Sequence, residues 1–413
     1  VIDIEMQLAN SQSLMELSLE ELLNTKVSIA TKEPMTSRNS PSIISIVTKE
    51  EIENSGASDL IDVLRLIPGI EMNVDVWGVT GISMRGNIGY IGRVLLMIDG
   101  LETNELLFAT SLIGNHYPVS NIEKIEIIRG PGSSIYGGFA ELGVINIITK
   151  SATDLNGIST TVDYGQMKND IAHSNLTLSL GKKFKDFEFT AHGFYANGNR
   201  SDREYTDAYG NSFEMSNQAQ LNTTSLNTSM IYKNLSMRFI YDKYNTTTRD
   251  WEDQMLNKDY LVTYKNILGE LKYKWKLSDK LSLTPKYNLT YNTPWETTEE
   301  AHLQDSIFYQ YTETAIRNRF NLTANLDLSK NTNITGGAEY TLDYTKTNNG
   351  ELFWNRQPDI SYDNIAVFAQ AIISTKPINL TIGGRVDKHS AYGAAFSPRI
   401  GLVVKADPKN IIR

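Results

Sequence analysis

Strict alternation of apolar and polar residues governs the chain from Ser151 onward and limits the folds that it can adopt. In the stretch 281–291, leucine, proline and tyrosine hold the odd positions, while serine, threonine, lysine and asparagine hold the even ones. A period of two places successive side chains on opposite faces of a β-strand. Helical periodicity is absent here, so the region predicts an all-β structure with one apolar and one polar face.

About twelve such strands can be read from the pattern, typically about 11 to 15 residues long. They lie near 157–165, 172–181, 186–197, 219–232, 234–244, 261–276, 280–292, 314–328, 332–346, 362–374, 378–388 and 397–405. Short turns alternate with long polar and aromatic stretches at 198–218, 245–260, 293–313 and 347–361. This alternation is typical of an antiparallel membrane β-barrel. A soluble β-sandwich or β-helix has the same period, but its connections would break the long and short order.

Composition narrows the function classes. The 413 residues include no cysteine and carry a formal net charge of −9. Disulfides, cysteine–zinc sites and thiol nucleophiles are therefore excluded, and an acidic chain without a concentrated basic face argues against nucleic-acid binding. No run approaches about 18 apolar residues and no basic-then-apolar leader precedes Val1, so we expect no transmembrane helix and a signal peptide already removed.

Residues 1–40 read as a polar N-terminal segment. Ser18 to Glu21 has the form of a helix capping box, and the stretch 27–31 alternates like a short isolated strand before a flexible connector. An unremarkable tail is the alternative interpretation.

Residues 41–150 read as one small α+β domain. Thr48 and Glu51 form a second capping box, and Gly56 is the expected end of that helix. A second helix is predicted from Ser58, with Pro68 and Gly69 ending it. The predicted strands are 42–47, 82–85, 94–98, 122–128 and 144–149, with a turn at Asp99–Gly100.

The glycine-rich turn at 130–138 lacks the Lys-Ser/Thr pair of a phosphate-binding loop, so its glycines are predicted to serve close packing. The five histidines lie at no metal-ligand spacing, and no pairing of nucleophile and base is evident. We therefore expect no cofactor, no bound metal and no enzymatic activity.

Several strings, in order along nearly the whole chain, resemble the TonB-dependent outer-membrane receptors. They are DVLRLIPGI at 62–70, MRG at 84–86, RVLLMIDG at 93–100, IRGPGS, YG and GVINIITK between 128 and 150, and FSPRIGL at 396–402. The resemblance implies a plug domain at residues 41–150 inside the lumen of a membrane β-barrel that begins at residue 151, in the bacterial outer membrane. Barrels of this family have 22 strands. About twelve strands would then leave roughly 200 residues of C-terminal barrel unaccounted for, at about 22 residues per strand and connection.

The resemblance also gives the N-terminal segment a partner. It implies that residues 1–40 are periplasmic and contain a TonB box, which would pair its backbone with the energy-coupling protein TonB by β-augmentation. The implied box residues are Val27, Ser28, Ile29, Ala30 and Thr31.

The function implied is active import of a scarce nutrient, with a metal–siderophore complex as the favoured substrate. Cobalamin, haem, a glycan or a peptide remain open as ligands, as do a passive porin or adhesin barrel and a soluble carbohydrate-binding protein. The partners implied are TonB, an extracellular small molecule and outer-membrane lipid; a surface lipoprotein is left open.

Ligand contacts are expected on plug loops near 73–80, 86–92 and 103–118, where aromatic and amide side chains give flat contacts and adaptable hydrogen bonds. The candidate ligand-binding residues are Trp77, Asn87, Tyr90, His116 and Tyr117.

A second group of candidates concerns how the plug is held. Arg85, Glu126 and Arg129 are candidates for ion pairs with the barrel, the alternative being that they stabilise the plug internally. Polar residues facing the lumen, such as Arg319, are expected to hold the plug through a wet interface. The candidates for close plug packing are Gly130, Pro131, Gly132, Tyr136 and Gly137.

Overall fold

The structure is a computed structural model. It describes residues 26–27, 35–36, 40, 42–74, 79–89, 91–132, 136–251, 254–297, 302–303, 306–307, 312–350, 352–353, 356–375, 377–405 and 411–412.

The described residues of the N-terminal domain include two short helices, α1 at Lys49–Ser55 and α2 at Leu60–Arg65. The predicted capping box is confirmed: the Thr48 hydroxyl accepts from the Glu51 N–H at 3.2 Å, and the Glu51 carboxylate accepts from the Thr48 N–H at 2.8 Å. Helix α1 ends at Gly56 in the left-handed conformation, as predicted.

Strands of the N-terminal part are short. They are β1 (Lys26–Val27), β2 (Met35–Thr36), β3 (Ile44–Thr48), β4 (Ile70–Val74), β5 (Thr80–Met84), β6 (Asn87–Ile88), β7 (Val94–Ile98), β8 (Leu101–Glu102), β9 (Ile122–Arg129) and β10 (Gly143–Thr149). A five-stranded sheet has the order β3-β9-β10-β7-β8, in which β10 pairs antiparallel with β9 and parallel with β7. The β-branched run at 122–128 supplies its centre, and Leu60 and Val63 of α2 pack on it with no exposed surface.

The remaining described strands belong mostly to one large sheet. They are β11 (Gly157–Gln166), β12 (Ile171–Phe184), β13 (Phe187–Gly198), β14 (Glu204–Thr206), β15 (Ser212–Glu214), β16 (Leu221–Tyr232), β17 (Leu235–Trp251), β18 (Gln254–Tyr273), β19 (Trp275–Lys276), β20 (Leu281–Thr297), β21 (His302–Leu303), β22 (Ser306–Ile307), β23 (Glu313–Ser329), β24 (Thr332–Thr347), β25 (Asp359–Ser374), β26 (Ile378–His389), β27 (Gly393–Lys405) and β28 (Ile411–Ile412). A four-residue helix α3, Ala152–Leu155, precedes them.

This 14-stranded sheet is a partial barrel whose neighbours are all antiparallel, in the order β11-β12-β13-β16-β17-β18-β20-β23-β24-β25-β26-β27-β28 with β19 beside β20. Each predicted strand overlaps one of its long strands, which confirms the period-two interpretation. The apolar face points outward, as the exposed Leu322 and Val367 show, while their neighbours Thr323 and Phe368 are buried.

The predicted loop at 245–260 is mostly strand. Strand β17 continues to Trp251, β18 begins at Gln254, and their ladder pairs Thr246 with Val262 and Thr248 with Tyr260. Polar, aromatic sequence alone reads as a loop, but here two such stretches pair with each other. The predicted loop at 198–218 likewise contains the small hairpin β14–β15.

None of the helices among the described residues is long and apolar enough to cross a membrane. The N-terminal domain instead lies against the polar face of the large sheet, to which its side chains bond at many points.

Candidate functional site

The interface between the N-terminal domain, from Ser42 to Lys150, and the polar face of the large sheet is the candidate site, and we call it the seam. Among the described residues, hydrogen bonds, ion pairs and two apolar clusters hold the seam closed; the smaller cluster joins Ile98 and Leu101 to Ile240 and Leu268 of the wall.

Three consecutive residues of the N-terminal domain, 114–116, bond to three barrel strands. Tyr244 donates to the Gly114 carbonyl at 2.8 Å, and Thr223 donates to the Asn115 carbonyl at 2.9 Å. The Asn115 side chain accepts from Asn175 Nδ2 at 2.8 Å and donates to the Leu221 carbonyl at 3.1 Å. The tripeptide is thus fixed by β12, β16 and β17.

His116 completes this anchor. Its Nε2 lies 3.0 Å from Asp242 on β17, and its ring stacks on Tyr117 and Tyr244 with centroid distances of 4.3 and 4.2 Å. Burial opposes protonation of the imidazole, but the Asp242 carboxylate outweighs it, so the pKa of His116 is raised. The pair is therefore an ion pair over a wider pH range than an isolated histidine would allow.

Helix α2 is tied to the same anchor. The carboxylate of Asp59, the residue that caps α2, accepts from the Asn115 N–H at 2.5 Å and from the Ile61 N–H at 3.4 Å. Burial raises the pKa of Asp59, and these N–H donors oppose that rise without cancelling it. A pull on α2 is therefore transmitted directly to the anchor at 114–116.

A charged cluster forms a second part of the seam. Glu102 of β8 bonds to the Arg319 guanidinium on β23, and Arg317 lies 3.9 Å from the same carboxylate. Burial would raise the pKa of Glu102, but Arg319 and then Arg317 outweigh it, so that pKa is lowered. The contact agrees with the prediction that Arg319 faces the lumen and holds the N-terminal domain.

An ion pair closes the seam nearer the short turns. Asp99 lies 2.7 Å from Arg238 of β17, which also donates to Asn227 at 2.9 Å. Thr149 donates to Asp99 at 2.7 Å, so the end of β10 is part of the same network. Ser179 of strand β12 donates to Asn121 of the N-terminal domain at 2.5 Å.

Two cavities lie along the seam, close to the polar contacts described above. The smaller cavity, of about 50 Å³, is bounded by His116, Asp242 and Asn266. The larger cavity, of about 210 Å³, is bounded by Asp99, Arg238 and Lys150 among others, and Thr149 borders both cavities. The seam is therefore incompletely packed where its polar contacts are densest, and the smaller cavity is large enough for a water molecule.

Part of the seam is apolar. Val79 and Leu112 of the N-terminal domain pack with Tyr244, Tyr264 and Trp295 of the barrel wall in one buried cluster. Tyr264 and Trp295 meet edge to face at 5.2 Å. The predicted wet interface thus describes only part of the contact.

Arg85, Glu126 and Arg129 have their described partners inside the N-terminal domain. Arg85 donates to the Arg129 carbonyl and Arg129 donates to the Pro68 carbonyl, each at 3.0 Å. Glu126, 2% exposed, pairs with Lys124 at 2.7 Å. These contacts favour internal stabilisation over ion pairs with the barrel, because β9, which carries two of the three residues, is covered on both edges by β3 and β10.

The glycine-rich turn meets the wall at Gly137. That glycine has φ of 78°, and a Cβ on it would lie 3.4 Å from the Arg385 guanidinium. A Cβ on Gly132 would lie 2.8 Å from Val144. Pro131 is exposed and Gly130 has φ of 147°. Burial raises the pKa of the neighbouring Tyr136.

The predicted ligand-binding residues have different placements. Trp77 and Tyr90 lie outside the described residues, and Asn87 is exposed, with its side chain donating to the Arg85 carbonyl at 3.2 Å. His116 is buried in the seam, where the Asp242 carboxylate and the Tyr244 ring hold the imidazole against the wall. Tyr117 stacks on His116 and packs on the core of the N-terminal domain. A ligand-binding role for these two residues stays a prediction.

The predicted TonB box is described only at its first residue. Val27 belongs to β1, which pairs with β2, while Ser28, Ile29, Ala30 and Thr31 lie outside the described residues, as does the capping box at Ser18.

Sequence reasoning did not identify Asp99, Glu102, Asn115 or Asp242 as seam residues. Asp99 carried only a turn signal, and Asp242 was one of many polar residues on an alternating strand. Local sequence gave no usable signal, because charged residues of the same face also pair within the wall, as Arg317 does with Asp343 and Arg385 does with Glu339.

Comparison with known proteins gives matches over both domains. The family described as TonB-dependent Receptor Plug Domain matches residues 36–144, and the family described as TonB dependent receptor-like, beta-barrel matches residues 194–412. The second match covers slightly more than half of the 413 residues.

A vitamin B12 transporter, BtuB, of Vibrio vulnificus (strain CMCP6) is 38% identical over 122 residues, which are 29% of this chain and 20% of that protein. A mutant of the ferric enterobactin receptor PfeA from Pseudomonas aeruginosa superposes with a TM-score of 0.68 at 18% identity, covering 93% of this chain and 62% of that chain. The siderophore receptor PirA from Acinetobacter baumannii gives 0.67 at 19% identity, covering 89% and 59%. The chain thus spans about three fifths of these solved receptors, and the likeness to them concerns the fold alone.

Proposed function

From the premise that this chain belongs to the TonB-dependent receptor family, we propose that it is part of a transporter that imports a metal–siderophore complex across the bacterial outer membrane. In this proposal residues 41–150 are the plug, residues 151–413 are the N-terminal part of the barrel, and residues 1–40 are periplasmic.

The observation that carries the proposal is the composition of the seam. Its contacts at Asn115, Glu102 and Asp99 are hydrogen bonds and ion pairs that water can replace as they break. A plug that must move and return needs such contacts, whereas a wholly apolar interface would have to expose its full area to water. A passive porin would need no domain bonded across its lumen.

Energy coupling is proposed to enter through residues 27–31. A strand formed by these residues would bind TonB through backbone hydrogen bonds, so its N–H groups would matter more than its side chains. Helix α2 and Asp59 offer a mechanical link from the N-terminal side to the anchor at 114–116.

The experiment measures growth on a ferric siderophore as the sole iron source in a strain that lacks the gene and carries the full-length protein or a variant of it. Ile29→Pro removes a backbone donor and should abolish growth, while Ile29→Val should leave it intact. Outer-membrane levels of each variant are measured by heat-shifted gel mobility. Normal iron uptake by Ile29→Pro at wild-type levels would refute energy coupling through this segment.

A second candidate substrate is cobalamin, favoured by the 38% identity to a vitamin B12 transporter over 122 residues. Growth of a cobalamin auxotroph on limiting cyanocobalamin distinguishes it from the first. If loss of the gene impairs growth on cobalamin but not on any ferric siderophore, the substrate is cobalamin and the metal–siderophore proposal is rejected.

A further inference from the structure

A groove crosses the outward, apolar face of the barrel wall from β17 to β25, with a volume of about 630 Å³. We propose that it binds one anionic phospholipid from the periplasmic leaflet of the membrane, and we call it the wall groove. The proposal rests on the outer-membrane location proposed above, but not on the identity of the imported ligand.

The groove has a shallow floor and a high rim. Its floor is formed by Pro285 and Ala338, and its rim by the larger side chains Tyr273, Phe320 and Tyr340. A flat lipid-facing wall would contact the bilayer uniformly. This hollow, in contrast, can hold a single acyl chain of a phospholipid along its length. Its volume lies within the range of about 300–1,000 Å³ typical of small-molecule sites.

Proline creates the hollow. The β18–β20 ladder pairs Lys272 with Lys286, and pairing resumes only with Trp275 and Leu283 of β19–β20. Pro285 falls in this gap, because it has no N–H to donate to the neighbouring strand. The described ladder therefore gives Tyr273 and Lys274 no register partner on β20, and this interruption lies beside the hollow that Tyr273 and Pro285 line.

The lower end of the groove lies at the level expected for lipid headgroups. Tyr273 lines it, and Trp275 of β19 and Leu277, which follows β19, are 55% and 44% exposed. Exposed aromatic residues of this kind mark the membrane–water boundary. The short turns belong to the periplasmic side of such barrels, so this boundary is that of the inner leaflet.

Lysines surround this lower end. Lys233 and Lys274 are exposed close to the groove residues Leu235 and Tyr273, and Lys280 is exposed next to Leu281, where β20 begins. Lys276 is engaged by Asp279 at 2.8 Å. Clustered lysines next to a membrane attract anionic headgroups, which supplies the charge complementarity for a phosphate at this place.

The length of the groove fits one leaflet. Between Leu281 at the turn and Tyr287, which stacks with Phe320 at 4.8 Å, the strand rises roughly 20 Å at about 3.4 Å per residue. With strands tilted by about 45°, this is roughly 14 Å along the membrane normal, close to half of the about 30 Å hydrocarbon thickness. A lipid whose headgroup lies at the lysines would thus have an acyl chain that ends near Phe320.

The test uses the full-length receptor, purified in a mild detergent and analysed by native mass spectrometry with added palmitoyl-oleoyl phosphatidylglycerol or phosphatidylcholine. We expect one phosphatidylglycerol to be retained at least about fivefold more than phosphatidylcholine. Ala338→Trp fills the floor and should abolish that retention. The matched control Ala369→Trp also changes an exposed, outward-facing alanine, but outside the groove, and should retain the lipid.

A second variant separates headgroup from chain. Lys274→Gln with Lys280→Gln should remove the preference for phosphatidylglycerol while leaving some retention of either lipid. Equal retention of both lipids by the unmodified protein, or undiminished retention by a folded Ala338→Trp variant, overturns the proposal. A dimer that Ala338→Trp disrupts would assign the groove to a second copy of the chain instead. Iron uptake by these variants is measured separately, so loss of lipid with normal uptake leaves the transport proposal intact.

Discussion

The His116 imidazole nitrogen Nε2 lies 3.0 Å from each carboxylate oxygen of Asp242, across the boundary between the N-terminal domain and strand β17. The two residues are 126 positions apart in sequence. Their ion pair sits between a helix-linked loop and the barrel wall, so its protonation state controls how firmly the plug is held.

The His116–Asp242 pair should make plug stability depend on pH. A raised histidine pKa contributes stability that is complete below the unfolded value of about 6.5 and is lost as pH rises through the folded pKa. Asp59, Tyr117 and Tyr244 also face the imidazole, and none of them supplies a positive charge. The melting temperature of the wild type should therefore fall more steeply than that of His116→Gln between about pH 6 and pH 9.

The matched control is His389→Gln, which changes a histidine at the far end of β26 that contacts only Tyr362 and Tyr392 among the described aromatic rings. It should keep the wild-type slope. Identical slopes for the wild type and His116→Gln would mean that the pair does not titrate in this range.

Glu102→Gln should loosen the plug more than any exposed ion pair would. The substitution leaves Arg319 and Arg317, 18% and 14% exposed, without their shared carboxylate. Loss of a partner costs about 3–5 kcal/mol for a fully buried pair, and the residual exposure reduces this to on the order of 2 kcal/mol here. Because the pKa of Glu102 is lowered, its contribution is present above about pH 4.3 and is lost as pH falls through the folded pKa. Proteolysis of the plug in detergent measures the effect.

Asp279→Asn is the comparison for Glu102→Gln, since the Lys276–Asp279 pair is 64% and 96% exposed. It should change protease resistance by less than the experimental error. Equal sensitivity of the two variants would contradict a role for Glu102 in the seam.

Gly137→Ala should destabilise the protein and Gly138→Ala should not. Gly137 has φ of 78°, and a Cβ on it would lie 3.4 Å from the Arg385 guanidinium, whereas a Cβ on Gly138 would meet open space. A left-handed conformation costs a residue with a side chain about 1–2 kcal/mol. Thermal unfolding of the two variants, read by circular dichroism, compares adjacent glycines directly. A Gly137→Ala variant as stable as Gly138→Ala would show that the turn adjusts without strain.

Asn115→Ala should release the anchor at 114–116. It removes the acceptor of Asn175 and the donor of the Leu221 carbonyl, and each unpaired buried group costs about 1–3 kcal/mol. Hydrogen exchange in residues 112–118 should rise in this variant. Asn331→Ala, in an exposed turn, should leave exchange in that segment unchanged. If hydrogen exchange in residues 112–118 of Asn115→Ala were as slow as in the wild type, the tripeptide would not be an anchor of the seam.

Local sequence rules predicted much of the fold. Thr48 and Glu51 determine the start of α1 with their own side chains, and Val94 to Ile98 is apolar enough to be buried wherever it pairs. The long strands could also be predicted without knowing which strands pair, because the two faces of a membrane barrel meet surroundings of opposite polarity and the sequence alternates accordingly.

The seam contacts and the extended hairpin of β17 and β18 were not predicted from the sequence. Both depend on which other part of the chain a residue meets in the fold, and local sequence does not contain that information. Whether Asp99 serves only its turn or also binds Arg238 cannot be read locally, since the two residues are 139 positions apart. Thr248 and Tyr260 both lie in the stretch 245–260, which was predicted as a loop and extends as two strands because its halves pair with each other. His116 looked like a loop residue because nothing near it in sequence signals the Tyr244 ring.

The five-stranded sheet of the N-terminal domain has a consequence for the order of folding. All of its strands, from β3 to β10, lie within residues 44–149, and the first barrel strand begins only at Gly157. Every ladder of that sheet can therefore form before any barrel strand has been translated, at the cost of closing the long loop between β3 and β9. The strands of the large sheet are not needed for any ladder of the five-stranded sheet, so the hydrogen-bonded frame of the N-terminal domain is independent of barrel closure.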